Sequence, residues 1–333
     1  MSVVCLHNAG FFSCCSVKLD MIISYINHNL KIPDFVDSSN SFSWYKKNLE
    51  TKDITYEYFE HYDNITDMTV NYPIKYNHDY QFFNYSHIDY NNIIPIIKKY
   101  FSPSKEILNI IEKIELKYKL NYNNICVLFF RGNDKVTETE LPNYNDYLIY
   151  INIILKNNPD ILFLIQSDET EFIEFISEKF PKNSFYFKDE IRHMKRKIST
   201  VDYNKDRIDE FSKNYLAITI IMSKCKYIIC GSGNCSIWIM FYRGNNENVY
   251  QFLNNRWIIN NKNDHDWQFI ANENDDVTNI NIGSHIRYGA HGYNWIESYN
   301  KNEKFKVLNS YFGVDPVPGI PKQLQICTKC LNV

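Results

Sequence analysis

Residues 125–135 read ICVLFFRGNDK. Six apolar residues without interruption have the length of a β-strand buried on both faces. Arg131, Asp134 and Lys135 follow at once, with Glu138 close behind in the same polar segment. The pattern recurs downstream: ILFLIQ (161–166) runs into Ser167-Asp168-Glu169, and KYIICG (226–231) into Ser232-Gly233-Asn234. Apolar residues at helical spacing predict helices over 144–158, 170–180, 210–225 and 235–243, with further strands at SFYF (184–187) and NVYQF (248–252). Strand alternating with helix predicts a doubly wound α/β fold with a mostly parallel sheet. Ligands of such a sheet bind beyond the carboxyl ends of its strands, where these polar groups lie.

Upstream, SVVCLH (2–7) reads as a strand, NAGFFSCC (8–15) as a loop and SVKLDMIISYINHNL (16–30) as a helix, followed by a strand in KIPDFV (31–36). Residues 37–100 are rich in Tyr and Asn and yield little assignment. NNIIPIIKKYF (91–101) and SKEILNIIEKIELKYKL (104–120) read as helices, the second with Ser104 as its N-cap. A chain of 333 residues suggests two lobes, here 1–118 and 119–260, with 261–333 as a C-terminal extension and VDPVPGIPK (314–322) as a linker-like tail.

The 44% hydrophobic content supports full cores. A net charge of −3 with no long basic run argues against nucleic acid as the partner. KDEIRHMKRK (188–197) reads as a solvated basic face. No stretch approaches the ~18–20 apolar residues of a membrane span, and the N-terminus lacks a signal-peptide pattern. The expectation is a cytoplasmic protein. Nine scattered cysteines suit a reducing compartment better than a disulfide framework, and Cys327-x-x-Cys330 has no second pair to complete a zinc site. His285 and His291 have no third ligand in view, so no metal site is expected. GSHIRYGAHGYNW (283–295), which holds both, reads as a Gly-rich surface loop or, functionally, as an acceptor loop. Trp238 and Trp267 read as packing residues.

The turn Gly231-Ser232-Gly233-Asn234 precedes a helix and can offer backbone N–H groups to a phosphate, aided by the helix dipole. Ser232, Asn234 and Ser236 add side-chain donors, and Arg131 can make charge-assisted bonds to a diphosphate. The plain alternatives are a strand-to-helix turn capped by Asn234 and an Arg131–Asp134 surface pair worth ~0–1 kcal/mol. No Gly-Lys-Ser/Thr makes this a Walker loop, and it is not a dinucleotide fingerprint. Three polar strand ends over one sheet edge, with Asn8–Ser13 facing them across a cleft, favour the ligand site.

FFRGNDK (129–135) resembles the R-R-x-D-K stretch of the α1,6-fucosyltransferases. MSKCKYIICGSGNCSIWIMFY (222–242) resembles the segment MS-x-CK…SNSSFSWW of the α1,2-fucosyltransferases, with Met222, Ser223, Cys225, Lys226, Ser232, Asn234, Ser236 and Trp238 in step. Gln166-Ser167-Asp168-Glu169 is similar to the S-D-D of the same superfamily. The resemblance covers 120 to about 252, and more weakly the opening around Gly10. It implies a GT-B glycosyltransferase: two Rossmann-like lobes with a cleft between them, 1–118 on the acceptor side and 119–260 binding the donor. It further implies an inverting, metal-independent reaction with no cofactor, a nucleotide-sugar donor such as GDP-fucose, and a glycan acceptor.

On this resemblance Arg131 binds the donor β-phosphate and Ser232 or Asn234 contacts phosphate. Asp134, Asp168, Gly233, Ser236 and Gly10 fall in the donor site. Glu138 takes the general-base role, assisted by Lys135, and Tyr147 comes into register. Three positions depart from the family. Gly132 replaces the second Arg, and Phe129 and Ile218 stand at the two positions that read guanine. Either Asp202, Asp206 or Asp209 reads the base, or the donor is not GDP-linked. The rival reading is a non-catalytic nucleotide- or carbohydrate-binding descendant of the fold.

Overall fold

A computed structural model describes residues 2–46, 51–60, 71–188, 205–260, 267–282, 284–290 and 295–327. Residues 1–260 form one compact unit and 261–333 a second. The first opens with β1 (Ser2–Val4), α1 (Phe11–Asn29) and β2 (Phe35–Asp37); β1 and β2 pair in parallel. Helices α2 (Tyr90–Tyr100) and α3 (Lys105–Tyr118) lead to β3 (Ile125–Phe130). There follow α4 (Tyr144–Asn157), β4 (Leu162–Ser167), α5 (Thr170–Lys179) and β5 (Ser184–Phe185). Next come α6 (Ile208–Lys224), β6 (Tyr227–Gly231), α7 (Asn234–Arg243), β7 (Val249–Leu253) and β8 (Arg256–Asn260).

The six strands from β3 to β8 form one sheet in the order β8-β7-β6-β3-β4-β5, parallel except for the β7–β8 hairpin. Asn254 and Asn255 turn that hairpin with both φ angles positive, the conformation that matches the twist of its strands. Strand β3 is buried along its whole length. Ile125, Val127 and Phe129 enter one hydrophobic cluster, shared with α1, α2, α3, α6 and α7. Cys126, Leu128 and Phe130 enter the other, shared with α4 and α5. The unbroken apolar run is thus explained by two covered faces. The larger cluster extends from Val3 to Val249, so residues on both sides of 118 contribute to one core.

Ser104 caps α3 as its sequence suggests, its Oγ accepting the Ile107 N–H at 3.4 Å. Helix α1 begins earlier than the sequence suggests. Phe11–Cys15, expected in a loop, form its first turns because Phe11, Phe12, Cys14 and Cys15 are all buried. Helix α7 begins at Asn234 with Gly233 in the N-cap position, so Asn234 is not the cap.

In the second unit, β9 (Trp267–Asn272), β10 (His285–Gly289), β11 (Trp295–Tyr299) and β12 (Gln323–Cys327) form an antiparallel sheet ordered β9-β12-β10-β11. This corrects one expectation: His285–Gly289 is a strand rather than a surface loop. Residues 314–322 hold no helix or strand, as a linker-like segment would, and lead into β12, which joins β9 to β10. Ile286, Tyr288 and Leu324 are fully buried, which pays for both pairings. Arg287 lies between the rings of Trp267 and Trp295, at 4.6 and 4.4 Å. Cys327 is disulfide-bonded, which sits less well with the reducing compartment expected from the sequence, while seven other cysteines are free and buried. His291, Asp202, Cys330 and residues 189–197 of the basic cluster lie outside the described residues. Among the described residues, no helix is long and apolar enough to cross a membrane.

Candidate active site

Strand register builds the site. Phe130 of β3 pairs with Ser167 of β4, and Phe129 pairs with Cys230 of β6. Arg131, Asp168 and Gly231 therefore leave the sheet side by side at its carboxyl edge. A cavity of about 430 Å³ opens there. Arg131, Asp134, Lys135 and Glu138 line it from beyond β3, Gly231–Ser236 from the β6–α7 turn, and Gly10–Ser13 from the start of α1.

Arg131 is held from three sides. Its Nε donates to Asp168 Oδ2 at 3.0 Å, Nη1 to the Tyr215 hydroxyl at 2.8 Å and Nη2 to Asp134 Oδ1 at 3.1 Å. A guanidinium carries five N–H groups, so about two remain for a ligand in a fixed plane. Asp168, expected to touch the donor, sits behind Arg131 and does not line the cavity. It also accepts the Gly132 N–H at 2.9 Å. Burial pushes its carboxyl above the usual pKa, and Arg131 and the Gly132 N–H pull the other way.

Gly132, where the resembled family has a second Arg, owes its identity to Glu169. A Cβ at this position would lie 2.1 Å from Glu169 Oε1. That buried carboxylate accepts the Asn133 N–H at 3.0 Å and bonds the Tyr144 hydroxyl, while Asn133 Nδ2 donates to Asp168 O at 2.9 Å. The segment after β3 is therefore pinned to the end of β4. Lys135 and Glu138 form an ion pair on one turn of 3-10 helix, with Glu138 the more exposed partner.

Two helices start at the cavity. Neither α1 nor α7 has an acidic residue in its first turn, and neither has a side-chain cap. Both N-termini therefore present partial positive charge to the cavity. Ser232 Oγ donates to Phe252 O at 2.7 Å and Ser236 Oγ to Gly231 O. Each hydroxyl has one proton and it is committed. The Ser232 N–H also donates to Phe252 O, at 3.0 Å. What this end of the sheet offers an anion is therefore the first N–H groups of α7, from Asn234 on, and the Asn234 Nδ2. The Gly233 N–H donates to the buried Tyr85 hydroxyl at 3.3 Å, and Asn234 Oδ1 accepts from Ser16 Oγ at 2.9 Å. Tyr45 accepts the Phe11 N–H at 2.7 Å.

Of the ten residues expected at the site, nine line this cavity and Asp168 supports it. Phe129 and Ile218 are packed in the larger core, 2% and 1% exposed. Neither can hydrogen-bond a base through its side chain. Asp206 and Asp209 do not line the cavity, and Asp209 pairs with Lys213 at 3.0 Å. Sequence reasoning missed Tyr215, Tyr45, Trp44 and Gln81, and placed Glu169 at the strand end without its role. The signal for Glu169 was Gly132 itself, since a lone glycine at a strand end marks a close approach.

The parallel sheet and the polar groups at its carboxyl edge define a mixed α/β protein with a polar cavity at the strand ends. Its fold is similar to that of fucosyltransferases. A crystal structure of NodZ α-1,6-fucosyltransferase soaked with GDP-fucose matches 78% of this chain and 99% of its own, with TM-score 0.50 and 12% identity. The NodZ fucosyltransferase from Bradyrhizobium matches 78% of this chain and 98% of its own, with TM-score 0.49 and 12% identity. No protein-family model and no curated protein matches the chain.

Proposed function

We propose that the chain is an inverting GT-B glycosyltransferase that moves a sugar, with L-fucose from GDP-fucose as the first candidate, onto a glycan hydroxyl. The carrying observation is the cavity in which Arg131 and two uncapped helix N-termini meet the Lys135–Glu138 pair. Departure of a nucleoside diphosphate concentrates negative charge on its β-phosphate. Preorganised N–H groups and a fixed guanidinium stabilise that charge without reorganising. Glu138 is the carboxylate placed to accept the proton of the attacking hydroxyl, and Lys135 orients it. Positive charge from Arg131 and the helices fills the role a divalent metal plays elsewhere, so the reaction is proposed to need no metal. Residues 2–46 and the strand ends of the large sheet supply the two sides of the cleft, and a cytoplasmic setting, which the seven free thiols favour and the Cys327 disulfide does not, is part of this reading.

The apolar packing of Phe129 and Ile218 favours a second reading, a transferase for another nucleotide sugar or a non-catalytic binding descendant. A thermal-shift series with GDP, UDP, CDP, dTDP and GDP-fucose, with and without EDTA, separates them. Stabilisation by GDP and GDP-fucose that EDTA leaves unchanged is the expected result. Arg131→Ala is expected to abolish the shift while the protein stays folded. If the variant binds nucleotide as well as the wild type, the phosphate site is misassigned.

A further inference from the structure

Trp44 is 48% exposed, an uncommon position for an indole, and it lines the same cavity as Arg131 and Glu138. The residues on either side of it are anchored. The Ser43 N–H donates to Asn8 Oδ1 at 2.7 Å, and Tyr45 is buried with its hydroxyl bound to the Phe11 N–H. A second observation is independent of the first. Gln81 also lines the cavity, and its Oε1 is buried without a hydrogen-bond partner. A buried acceptor in that state is costly unless water or a ligand supplies a donor. A diphosphate carries acceptors only and does not satisfy it, whereas sugar hydroxyls, of an acceptor or of the donor itself, do. A sugar combines what both residues lack, an apolar C–H face for the indole and hydroxyl protons for the amide oxygen.

We infer that Trp44 and Gln81 form the acceptor subsite, with a pyranose ring stacked on the Trp44 indole and one of its hydroxyls donating to Gln81 Oε1. The inference rests on reading the cavity as a glycosyltransferase site. It assigns the acceptor to residues of the N-terminal segment and leaves the diphosphate to Arg131 and the helix N-termini.

The test is calorimetric titration of the full chain with cellotetraose, chitotetraose and maltotetraose, alongside a separate titration with GDP and UDP. At least one saccharide is expected to bind the wild type. Trp44→Ala is expected to weaken that binding by about tenfold or more, and Trp44→Phe, which keeps a ring, by less than about threefold. Gln81→Leu is expected to weaken it several-fold. The Trp44 variants are expected to keep the wild-type melting temperature, and Gln81→Leu to keep or raise it because an unpartnered buried acceptor is removed. All three are expected to keep the wild-type nucleotide affinity, whose loss would assign the two residues to the donor instead. Unchanged saccharide affinity in Trp44→Ala overturns the subsite, as does a wild type that binds nucleotide but none of the three saccharides; the transferase reading survives both results. Saccharide binding that depends on Trp44 in a chain that binds no nucleotide supports the subsite and removes the transferase reading.

Discussion

Gly132 sits where a side chain would have to occupy the same space as the Glu169 carboxylate, 2.1 Å from the position of its Cβ. The Glu169 carboxylate cannot simply withdraw, because it holds the Asn133 N–H and the Tyr144 hydroxyl. Gly132→Ala is therefore expected to cost about 1–3 kcal/mol, as overpacking does, and to displace Arg131 next to it. Urea unfolding of Gly132→Ala, Glu169→Ala and the double variant checks this, since relief of the overlap makes the double variant more stable than the two single losses sum to. Simple additivity would show that the two residues do not compete for space. Arg131, Asp134, Lys135 and Glu138 are legible in the sequence because charges directly after a buried strand need a reason. The partners that fix them are not, because Asp168, Glu169 and Tyr215 reach Arg131 and Gly132 only through the sheet register and the packing of α6.

At the scale of elements, the two helices that begin at the cavity are joined beneath it. Trp238 Nε1 of α7 donates to Ser16 Oγ of α1 at 2.9 Å, and that hydroxyl donates to Asn234 Oδ1 at 2.9 Å. The bridge runs from the core to the cavity wall: Trp238 is fully buried, Ser16 is 1% exposed and Asn234 is half-buried. Ser16→Ala strands the indole N–H and releases the Asn234 amide. The expected loss is about 1–3 kcal/mol of stability, with a several-fold weaker affinity for nucleoside diphosphate. Guanidinium unfolding and nucleotide titration of this variant check both parts; unaltered stability would mean that the bridge is not formed. The elements were legible where one residue type dominates over a whole strand, as at 125–130 and 249–252. They were not legible in 37–89, which holds short 3-10 turns such as Ser43–Tyr45 and His78–Phe82 with no period to read. Strand β9 was also hidden, because a register shift between Phe269 and Ala271 interrupts its alternation.

Across the whole molecule, acidic groups are buried in quantity within the first unit. Burial raises the pKa of Cys5, Cys14, Cys15 and Cys126, and pushes Cys225 and Cys230 up to about 12, against an ordinary value of 9.0. Burial likewise raises Tyr85, Tyr147, Tyr215 and Tyr242 above 10.0. The sign follows from proton counting. Above pH 9.0 the unfolded chain loses thiol protons that the folded chain retains, so the folded state binds more protons and stability falls as pH rises. Each thiol contributes up to about 1.4 kcal/mol per pH unit in that window, and the tyrosines join above pH 10.0. Below pH 9.0 none of these groups makes stability depend on pH. Melting temperature measured under reducing conditions is therefore expected to be insensitive to these groups up to about pH 8.5, then to drop steeply toward pH 11. Cys126→Val removes one fully buried thiol without a large change in volume and is expected to make that drop shallower. The same burial keeps native thiols protonated and slow toward a thiol reagent until the fold opens. A melting temperature that stays level from pH 9 to 11, or thiols that react at once in the native protein, would show that these groups are not sealed in the shared core.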